Sequence, residues 1–283
     1  MRNLVFVERF GDLDDTTWLG LLVRSLTSLT LEDVSFPGFP GSTMQSSFVG
    51  SSGEETLVEA SQFYVEVKGF AKRLGVEINT TTRALDFGCG WARHYRFFLR
   101  HLSTDNFVGI DIDPECVKVC RETVPMGTFE SCDIMPPSKL KAGTFDLIYA
   151  YSVFSHLNEQ PQLRWAEEFD RLLRPGGIAV VSTLKRAHIA VWDDLLRDGN
   201  EHYKRALTQA GFDSSRAQDA FEEGKFLYSP VGGGGIRESS FYGEAIVSPD
   251  HVRKNWPASL ELMDYVDSPE RGPQALIVVQ KTK

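Results

Sequence analysis

The feature that most constrains the fold of this chain is a glycine-rich turn between an apolar stretch and an amphipathic one. Residues 85–93 read LDFGCGWAR, and the short, mostly apolar run that leads into them begins at Arg83. Gly88 and Gly90 permit φ values that side chains disfavour, so the backbone can pass close to a ligand. We therefore predict a strand over 83–87, a tight turn, and a helix over 92–102.

An acidic side chain at the end of the first strand limits the kind of ligand. We expect Asp86 to direct its carboxylate into the same crevice as the turn. A carboxylate repels phosphate, so the turn is a poor site for a pyrophosphate. The pattern favours a nucleoside ligand that presents a positive charge or hydroxyl groups there.

Four more apolar stretches follow, in the order expected for a doubly wound α/β sheet. They cover residues 107–113, 129–134, 144–157 and 178–183, and a Pro-Gly-Gly turn precedes the last. An acid ~20 residues after such a glycine turn hydrogen-bonds ribose hydroxyls in this kind of sheet. We expect Asp111 in that role, whereas Asp113 is expected to cap a helix that begins at Pro114.

This ordered series resembles the class I S-adenosylmethionine-dependent methyltransferases over roughly residues 83–184. The resemblance implies a Rossmann-like, seven-stranded, mostly parallel sheet and S-adenosylmethionine as the cofactor. Where the family motif has a third glycine, this chain has Ala92, which is small enough for close helix–strand packing. The C-terminal part, with Tyr242-Gly243, Trp256 and Gln274, resembles uncharacterised bacterial methyltransferase-domain proteins.

The resemblance also implies which residues hold the cofactor. Gly88 and Gly90 would flank its methionine part, Asp111 would hold the ribose, and the backbone at Ala150 and Tyr151 would face its amino group. Arg93 is expected either to pair with the cofactor carboxylate or to brace Asp86, and Tyr64 either to bind that carboxylate or to pack its helix. Asp133 would contact the adenine amino group and Ile134 the ring. The full set is Asp86, Gly88, Gly90, Arg93, Asp111, Ile112, Asp133, Ile134, Ala150 and Tyr64.

Methyl transfer to a hydroxyl needs a base that works near neutral pH. His156 follows the fourth strand, near where an acceptor is expected, and its ordinary pKa of ~6.5 suits the role. It can equally begin a helix and pack against the sheet. His188, Tyr242 and His251 are further candidates, and Tyr151 either lines the acceptor pocket or packs.

We predict two regions, an N-terminal extension over 1–80 and a methyltransferase domain over 81–283. The extension is expected to act as a helical lid, with helices over 16–29 and from a Ser52–Glu55 capping box to Leu74. Within the domain we expect a helical insertion at about 186–240 after the fifth strand, then an antiparallel pair over 259–266 and 274–280. The four glycines at 232–235 predict a loop that is flexible or closes on ligand.

The composition of the chain limits which partners it is expected to bind and in which cellular compartment it is expected to work. The formal charge of −9 argues against sequence-independent binding of nucleic acid, and we interpret the arginines and histidines of 94–101 mainly as a solvated helix face. The four cysteines form no CxxC pair, so a metal site is not expected. We find no signal peptide, and Arg24 interrupts an apolar stretch that is too short to span a bilayer. A reduced, cytoplasmic setting is expected.

The favoured function is methyl transfer to a small molecule or sugar, on oxygen rather than nitrogen. One alternative is a protein that binds S-adenosylmethionine without catalysis. The other is a nicotinamide-dependent oxidoreductase, which would prefer a GxGxxG turn without the preceding acid. The sequence leaves the acceptor and the oligomeric state open.

Overall fold

The computed structural model describes residues 3–231 and 236–282, so the glycine run expected to form a loop lies outside the described residues. The described chain divides into two compact units. The first comprises residues 1–133 and 144–149, and the second comprises 134–143 and 150–283.

The strands form one large sheet and two small ones. In chain order they are β1 (Thr30–Leu31), β2 (Val34–Ser35), β3 (Ala84–Phe87), β4 (Phe107–Asp111), β5 (Thr128–Ser131), β6 (Phe145–Ala150), β7 (Leu173–Thr183), β8 (Leu227–Ser229), β9 (Glu244–Ile246), β10 (Leu260–Val266) and β11 (Ala275–Lys281).

The large sheet has seven strands in the order β10-β11-β7-β6-β3-β4-β5. In the first unit, β3 pairs in parallel with β4 and β6, and β4 with β5. In the second unit, β11 pairs antiparallel with β7 and β10. The residues of β3 are all buried, as expected for a parallel strand covered on both faces. The predicted doubly wound, Rossmann-like fold is confirmed.

Helices alternate with these strands. They are α1 (Leu4–Phe10), α2 (Asp15–Arg24), α3 (Ser42–Val49), α4 (Glu54–Arg73), α5 (Tyr95–Phe98), α6 (Pro114–Thr123), α7 (Glu159–Leu172), α8 (His188–Asp198), α9 (Glu201–Gln209), α10 (Ser214–Glu222), α11 (Pro249–Asn255) and a 3₁₀ helix at Pro269–Arg271. Three of them, α8 to α10, lie between β7 and β8, where the sequence predicts a helical insertion. No helix in the described ranges is both long and apolar enough to cross a membrane.

The ends of the helices and strands show which local sequence signals predicted a boundary correctly. Asp113 caps α6 as predicted, since its side chain accepts a hydrogen bond from the Glu115 amide and Pro114 occupies the first turn. The Ser52–Glu55 capping box is wrong: Gly53, with φ of 67°, precedes α4, and no side chain caps that helix. Two of the predicted strands also shift, because β5 already ends at Ser131 and β7 already begins at Leu173.

The N-terminal extension forms a packed layer within the first unit. The side-chain amide of Asn3 donates to the carbonyls of Leu99 and Leu102, and the Trp18 indole donates to the carbonyl of Phe97. Half of the residues of α3, by contrast, are exposed. The lid therefore remains a prediction, and α3 is the part of the extension that it suits best.

The segment 91–102 differs from its prediction. Only Tyr95–Phe98 is helical, and the expected solvated face is wrong because His94, Arg96 and Arg100 are buried; Arg93, which is not predicted to belong to that face, is buried as well. The N-terminal layer supplies their partners. For example, the Arg96 guanidinium donates to the carbonyl of Gly38 and lies over the Phe39 ring.

Candidate active site

The glycine turn of the first unit is built from left-handed backbone. The φ angles of Gly88, Gly90 and Ala92 are 71°, 53° and 63°. The amides of Gly88 and Cys89 both donate to the carbonyl of Ile110, at 2.8 and 3.0 Å. A side chain at Gly90 would meet no atom of the described residues within 4 Å, so glycine is needed there for conformation and the space beside it is open.

The Asp111 carboxylate ties the turn to the next strand. Its Oδ2 accepts from the Gly90 amide at 2.8 Å, and its Oδ1 accepts from the Asp113 amide at 2.9 Å. Asp111 is buried at the end of β4, and Ile112 beside it is half-buried. These contacts fix the carboxylate at the strand end, where the sequence predicts the ribose site.

Asp86 is a buried acid that protein contacts do not fully satisfy. It is 2 % exposed, and its Oδ2 has no hydrogen-bond partner among the described residues. Burial raises the pKa of Asp86 to about 8; Tyr149 and Arg93 favour the ionised form, and Asp111 opposes it. A buried carboxyl oxygen without a hydrogen bond is costly, so this position suits a cationic ligand group that would pair with it.

Two further cofactor candidates of the first unit, Arg93 and Tyr64, are buried and contact the N-terminal layer or the segment packed against it. Arg93 donates to the hydroxyl of Thr56 at 3.0 Å and pairs with Glu59 at 3.3 Å. It thus holds α4 and also acts on Asp86 through its charge. Tyr64 is fully buried, and its hydroxyl contacts Arg100 and His101. That position favours the packing interpretation of Tyr64 over the cofactor-carboxylate interpretation.

The other expected cofactor residues differ in exposure. Asp133 is exposed two residues beyond β5. In the second unit, the Ile134 side chain is 37 % exposed, while its carbonyl is held by the Trp165 indole at 2.9 Å. Ala150 is fully buried at the end of β6. The exposed pair can contact a ligand through side chains, whereas Ala150 can do so only through its backbone.

His156 of the second unit is held in one tautomer. Its Nδ1 lies 2.7 Å from the carbonyl oxygen of Gly243, which can only accept, so Nδ1 carries the hydrogen. The Nε2 atom is then an acceptor, 3.3 Å from Ser152 Oγ. The ring stacks on Tyr242 at 4.8 Å. Burial lowers the pKa of His156, which keeps the imidazole neutral and able to accept a proton.

Backbone pairing brings the carbonyl to the imidazole. The Gly243 amide donates to the carbonyl of His156 and the Ala245 amide to that of Ser155, so 243–245 runs beside 155–156. A Cβ at Gly243 would lie 2.3 Å from the Ser229 carbonyl oxygen and 2.7 Å from the Tyr228 ring. Only glycine fits this close approach, and this explains the Tyr-Gly pair noted in the sequence.

The other histidine candidates have different surroundings. His188 Nε2 lies 3.3 Å from the Glu244 carboxylate, which also accepts from the Trp192 indole. His251 is 1 % exposed in α11. Tyr151 is buried. Among these candidates, His156 has the best-defined acceptor nitrogen. The described residues contain no cluster of three or more His, Cys, Asp or Glu side chains suited to a metal.

The residues of the first unit fit S-adenosylmethionine. Its positive sulfonium and ammonium groups suit the Asp86 carboxyl, whose Oδ2 lacks a hydrogen bond within the described residues, and its ribose hydroxyls suit a carboxylate such as Asp111 at a strand end. The open space beside Gly90 leaves room for the ligand.

Comparison with known proteins supports the same domain type. Residues 84–177 match a family model described as a methyltransferase domain. Among curated proteins, the chain is 29 % identical over 153 residues to a ribosomal protein L11 methyltransferase of Pelobacter propionicus, covering 53 % of this chain and 44 % of that protein. It is 26 % identical over 106 residues to an uncharacterized protein of Rickettsia prowazekii, covering 36 % and 42 %. This chain thus spans less than half the length of either curated relative.

A solved structure supports the fold. The S-adenosylmethionine-dependent methyltransferase from Clostridium acetobutylicum aligns with a TM-score of 0.51 and 12 % identity, over 79 % of this chain and 92 % of that one. S-adenosylmethionine is the cofactor of enzyme domains in this family.

Proposed function

Because the core of this chain is a class I, Rossmann-like methyltransferase domain, we propose that the chain transfers a methyl group from S-adenosylmethionine to a hydroxyl of a small molecule or sugar. The observation that carries this proposal is the left-handed glycine turn that follows the buried Asp86, whose Oδ2 has no hydrogen-bond partner among the described residues. Asp86, Asp111, Asp133, Ile112, Ile134, Gly88, Gly90 and the Ala150 backbone are the proposed cofactor contacts.

His156 supports oxygen over nitrogen as the acceptor atom. The cofactor, when bound, supplies a methyl group on a positively charged sulfur, which leaves as a neutral sulfide. A hydroxyl must lose its proton during the transfer, whereas an amine needs only to be neutral and aligned. A neutral imidazole with its Nε2 available as an acceptor is the group that a hydroxyl acceptor requires.

Two alternatives remain distinguishable by experiment. A protein that binds the cofactor without catalysis would show the same first-unit site but no turnover. A nicotinamide-dependent oxidoreductase would prefer a GxGxxG turn without a preceding acid, whereas here Asp86 precedes a turn that reads GxGxA. For the setting, we propose a reduced cytoplasm, consistent with four free thiols.

The decisive experiment is calorimetry of the purified protein with S-adenosylmethionine, S-adenosylhomocysteine and NAD. We expect micromolar binding of the first two, no binding of NAD, and loss of binding in Asp111→Ala. Arg164→Met is a matched control, because Arg164 lies in an exposed ion pair with Glu167 and should leave binding unchanged. A folded protein that binds NAD instead, or that binds none of the three, contradicts the proposal.

The acceptor class is tested next with radiolabelled methyl donor. A panel of methyl glycosides of common hexoses, catechol and primary alkylamines separates sugars, phenols and amines. We expect label on a hydroxylated member. Cofactor binding without label on any member would favour the binding-protein alternative.

A further inference from the structure

The hydroxyl of Ser152 has an unusually constrained environment that the sequence did not single out. Ser152 lies two residues beyond β6, and its φ is 59°. Left-handed backbone is uncommon for a residue with a side chain, and such strain persists where the surroundings impose it, often at functional sites. Here two residues of the second unit that are distant in sequence hold it.

Ser182 and Gln274 hold Ser152 in place. The Ser152 amide donates to Ser182 Oγ at 2.7 Å, and Ser182 Oγ in turn donates to Gln274 Oε1 at 2.7 Å. The Gln274 Nε2 then donates to Ser152 Oγ at 3.0 Å. Ser182 is fully buried in β7, and Gln274 directly precedes β11. The backbone amide and hydroxyl of Ser152 and the side chains of Ser182 and Gln274 therefore form a closed ring of hydrogen bonds.

This ring determines where the Ser152 proton points. A hydroxyl has one hydrogen to donate and two lone pairs to accept with. Gln274 occupies one lone pair, and His156 Nε2, the acceptor nitrogen, takes the hydrogen at 3.3 Å. No described residue donates to the second lone pair. The unused position of Ser152 is thus one that accepts a hydrogen bond, as from the hydroxyl of a substrate.

We propose that Ser152 relays the proton of the acceptor hydroxyl to His156, with Ser182 and Gln274 as positioning residues. The inference rests on the proposed function. The acceptor O–H bond breaks as a new O–H bond forms on Ser152, and the original Ser152 proton passes to His156 Nε2. The acceptor oxygen gains the methyl group, and the positive charge of the sulfonium reappears on the imidazolium, so atoms and charge balance.

Fixing the base with a third group is a recurring way to prepare an imidazole for proton transfer. In this protein the third group is the Gly243 carbonyl, which holds the ring from the side opposite Ser152. The proposed relay explains why two polar side chains, the buried Ser182 and the half-buried Gln274, orient the single hydroxyl of Ser152.

The first test needs no substrate. ¹⁵N-histidine NMR follows the titration of His156, whose signal is assigned by its loss in His156→Asn. The hydrogen bond from Ser152 favours the neutral imidazole, so Ser152→Ala and Ser152→Gly should both raise the pKa of His156, by roughly 0.5 to 1. Glycine accepts the left-handed backbone, so this variant keeps the measurement valid if Ser152→Ala folds poorly.

The other charged and titratable groups that face His156 must be the same in wild type and variants, so that only the Ser152 hydroxyl differs in this test. They are Glu244, which favours its protonated form, and Arg237 and His188, which oppose it. Ser155→Ala is the matched control, because the Ser155 hydroxyl is buried beside His156 and has no hydrogen-bond partner among the described residues. That variant should leave the pKa of His156 unchanged.

The second test measures turnover with the best hydroxylated member of the acceptor panel. Ser152→Gly should lower kcat roughly 100-fold, the lower limit of the range for general acid–base groups, with the dissociation constant of S-adenosylmethionine within about twofold of wild type. Gln274→Ala should lower kcat less, and the solvent isotope effect should fall in both variants.

The outcomes separate this inference from the proposed function. If Ser152→Gly leaves the pKa of His156 or kcat unchanged while S-adenosylmethionine still binds, the relay is wrong and the methyltransferase proposal stands. Turnover of amines alone likewise overturns the relay. If the wild-type protein binds no S-adenosylmethionine, the proposed function itself fails, whatever the titration shows.

Discussion

Asp86 is the single residue whose charge state most affects ligand binding. Burial raises its pKa from 3.8 to about 8, so the unliganded protein carries a largely neutral carboxyl at pH 7. Between these two values the folded state retains a proton that the unfolded state has released. The contribution of Asp86 to stability is therefore present below about pH 4 and is lost as the pH rises through about 8.

A cation that pairs with Asp86 favours its ionised form. We predict that binding of S-adenosylmethionine tightens as the pH rises from about 7 to about 9 and is accompanied by proton release. Calorimetry in two buffers of different ionisation enthalpy measures that release. Asp86→Asn should abolish the proton release that comes from Asp86. It should also weaken the binding of S-adenosylmethionine at least about tenfold, or ~1.4 kcal/mol. Equal proton release in wild type and Asp86→Asn would contradict the assignment.

Ala92 stands where the family motif has a glycine, and the backbone there is left-handed with φ of 63°. A side chain in that conformation costs about 1–2 kcal/mol, and glycine's added chain entropy offsets part of the relief. We predict that Ala92→Gly changes the free energy of unfolding by between zero and about +1 kcal/mol, measured by urea denaturation. Ala71→Gly, at a buried position inside α4, is the control and should destabilise by about 1 kcal/mol or more. Similar losses in both variants would show that Ala92 bears no strain.

Among the elements, the segment 91–102 shows how tertiary contacts override a local pattern. Its polar residues at helical spacing predict an exposed helix, yet α5 has only four residues and the arginines are buried. The N-terminal partners of those arginines lie within residues 13–64, far away in sequence. Local spacing contains no information about a layer supplied by a distant segment, so this error could not be avoided from the sequence.

Arg100 joins that segment to the N-terminal layer. Its guanidinium is fully buried and donates to the Leu13 carbonyl, the Asp15 carboxylate and the Tyr64 hydroxyl. Removing one partner of a buried ion pair leaves the other groups unsatisfied. We predict that Arg100→Met lowers the free energy of unfolding by about 2–4 kcal/mol, somewhat below a fully buried pair because Asp15 is a third exposed.

The same urea denaturation should show almost no change for Arg164→Met, since the Arg164–Glu167 pair is exposed and worth less than about 1 kcal/mol. Limited proteolysis of Arg100→Met should also cleave the first forty residues sooner than in wild type. A variant as stable as wild type would mean that the N-terminal layer is held without Arg100, which would favour a more mobile, lid-like extension.

Over the whole molecule, the sequence specified the parallel core better than the site beyond it. The strands ending near Asp86 and Asp111 were predictable because buried parallel strands form apolar runs, and glycines and acids mark their ends. The constrained position of Ser152 was not predictable, because its partners Ser182 and Gln274 are 30 and 122 residues away in sequence. A serine after a strand has no signature of its own, and only the folded second unit reveals the ring.

The net charge and the burial of arginines together bear on the class of substrate. The chain has a formal charge of −9, and three of the cations that come nearest to a basic patch in the sequence, Arg93, Arg96 and Arg100, are buried against the N-terminal layer. Nucleic-acid binding without sequence specificity needs exposed cations that neutralise phosphates. The burial of these arginines supports the proposed small acceptor over RNA.

We predict no binding of a fluorescently labelled single-stranded RNA of about 20 nucleotides at 0.15 M salt, up to about 10 µM protein, by anisotropy. S-adenosylmethionine should be present, so that a cofactor-dependent RNA site is also tested. A basic RNA-binding protein measured alongside confirms that the probe is competent. Binding below about 10 µM protein that weakens steeply with salt would contradict the prediction, because it would require an exposed basic surface that the buried arginines cannot provide. The search for the acceptor would then turn to RNA.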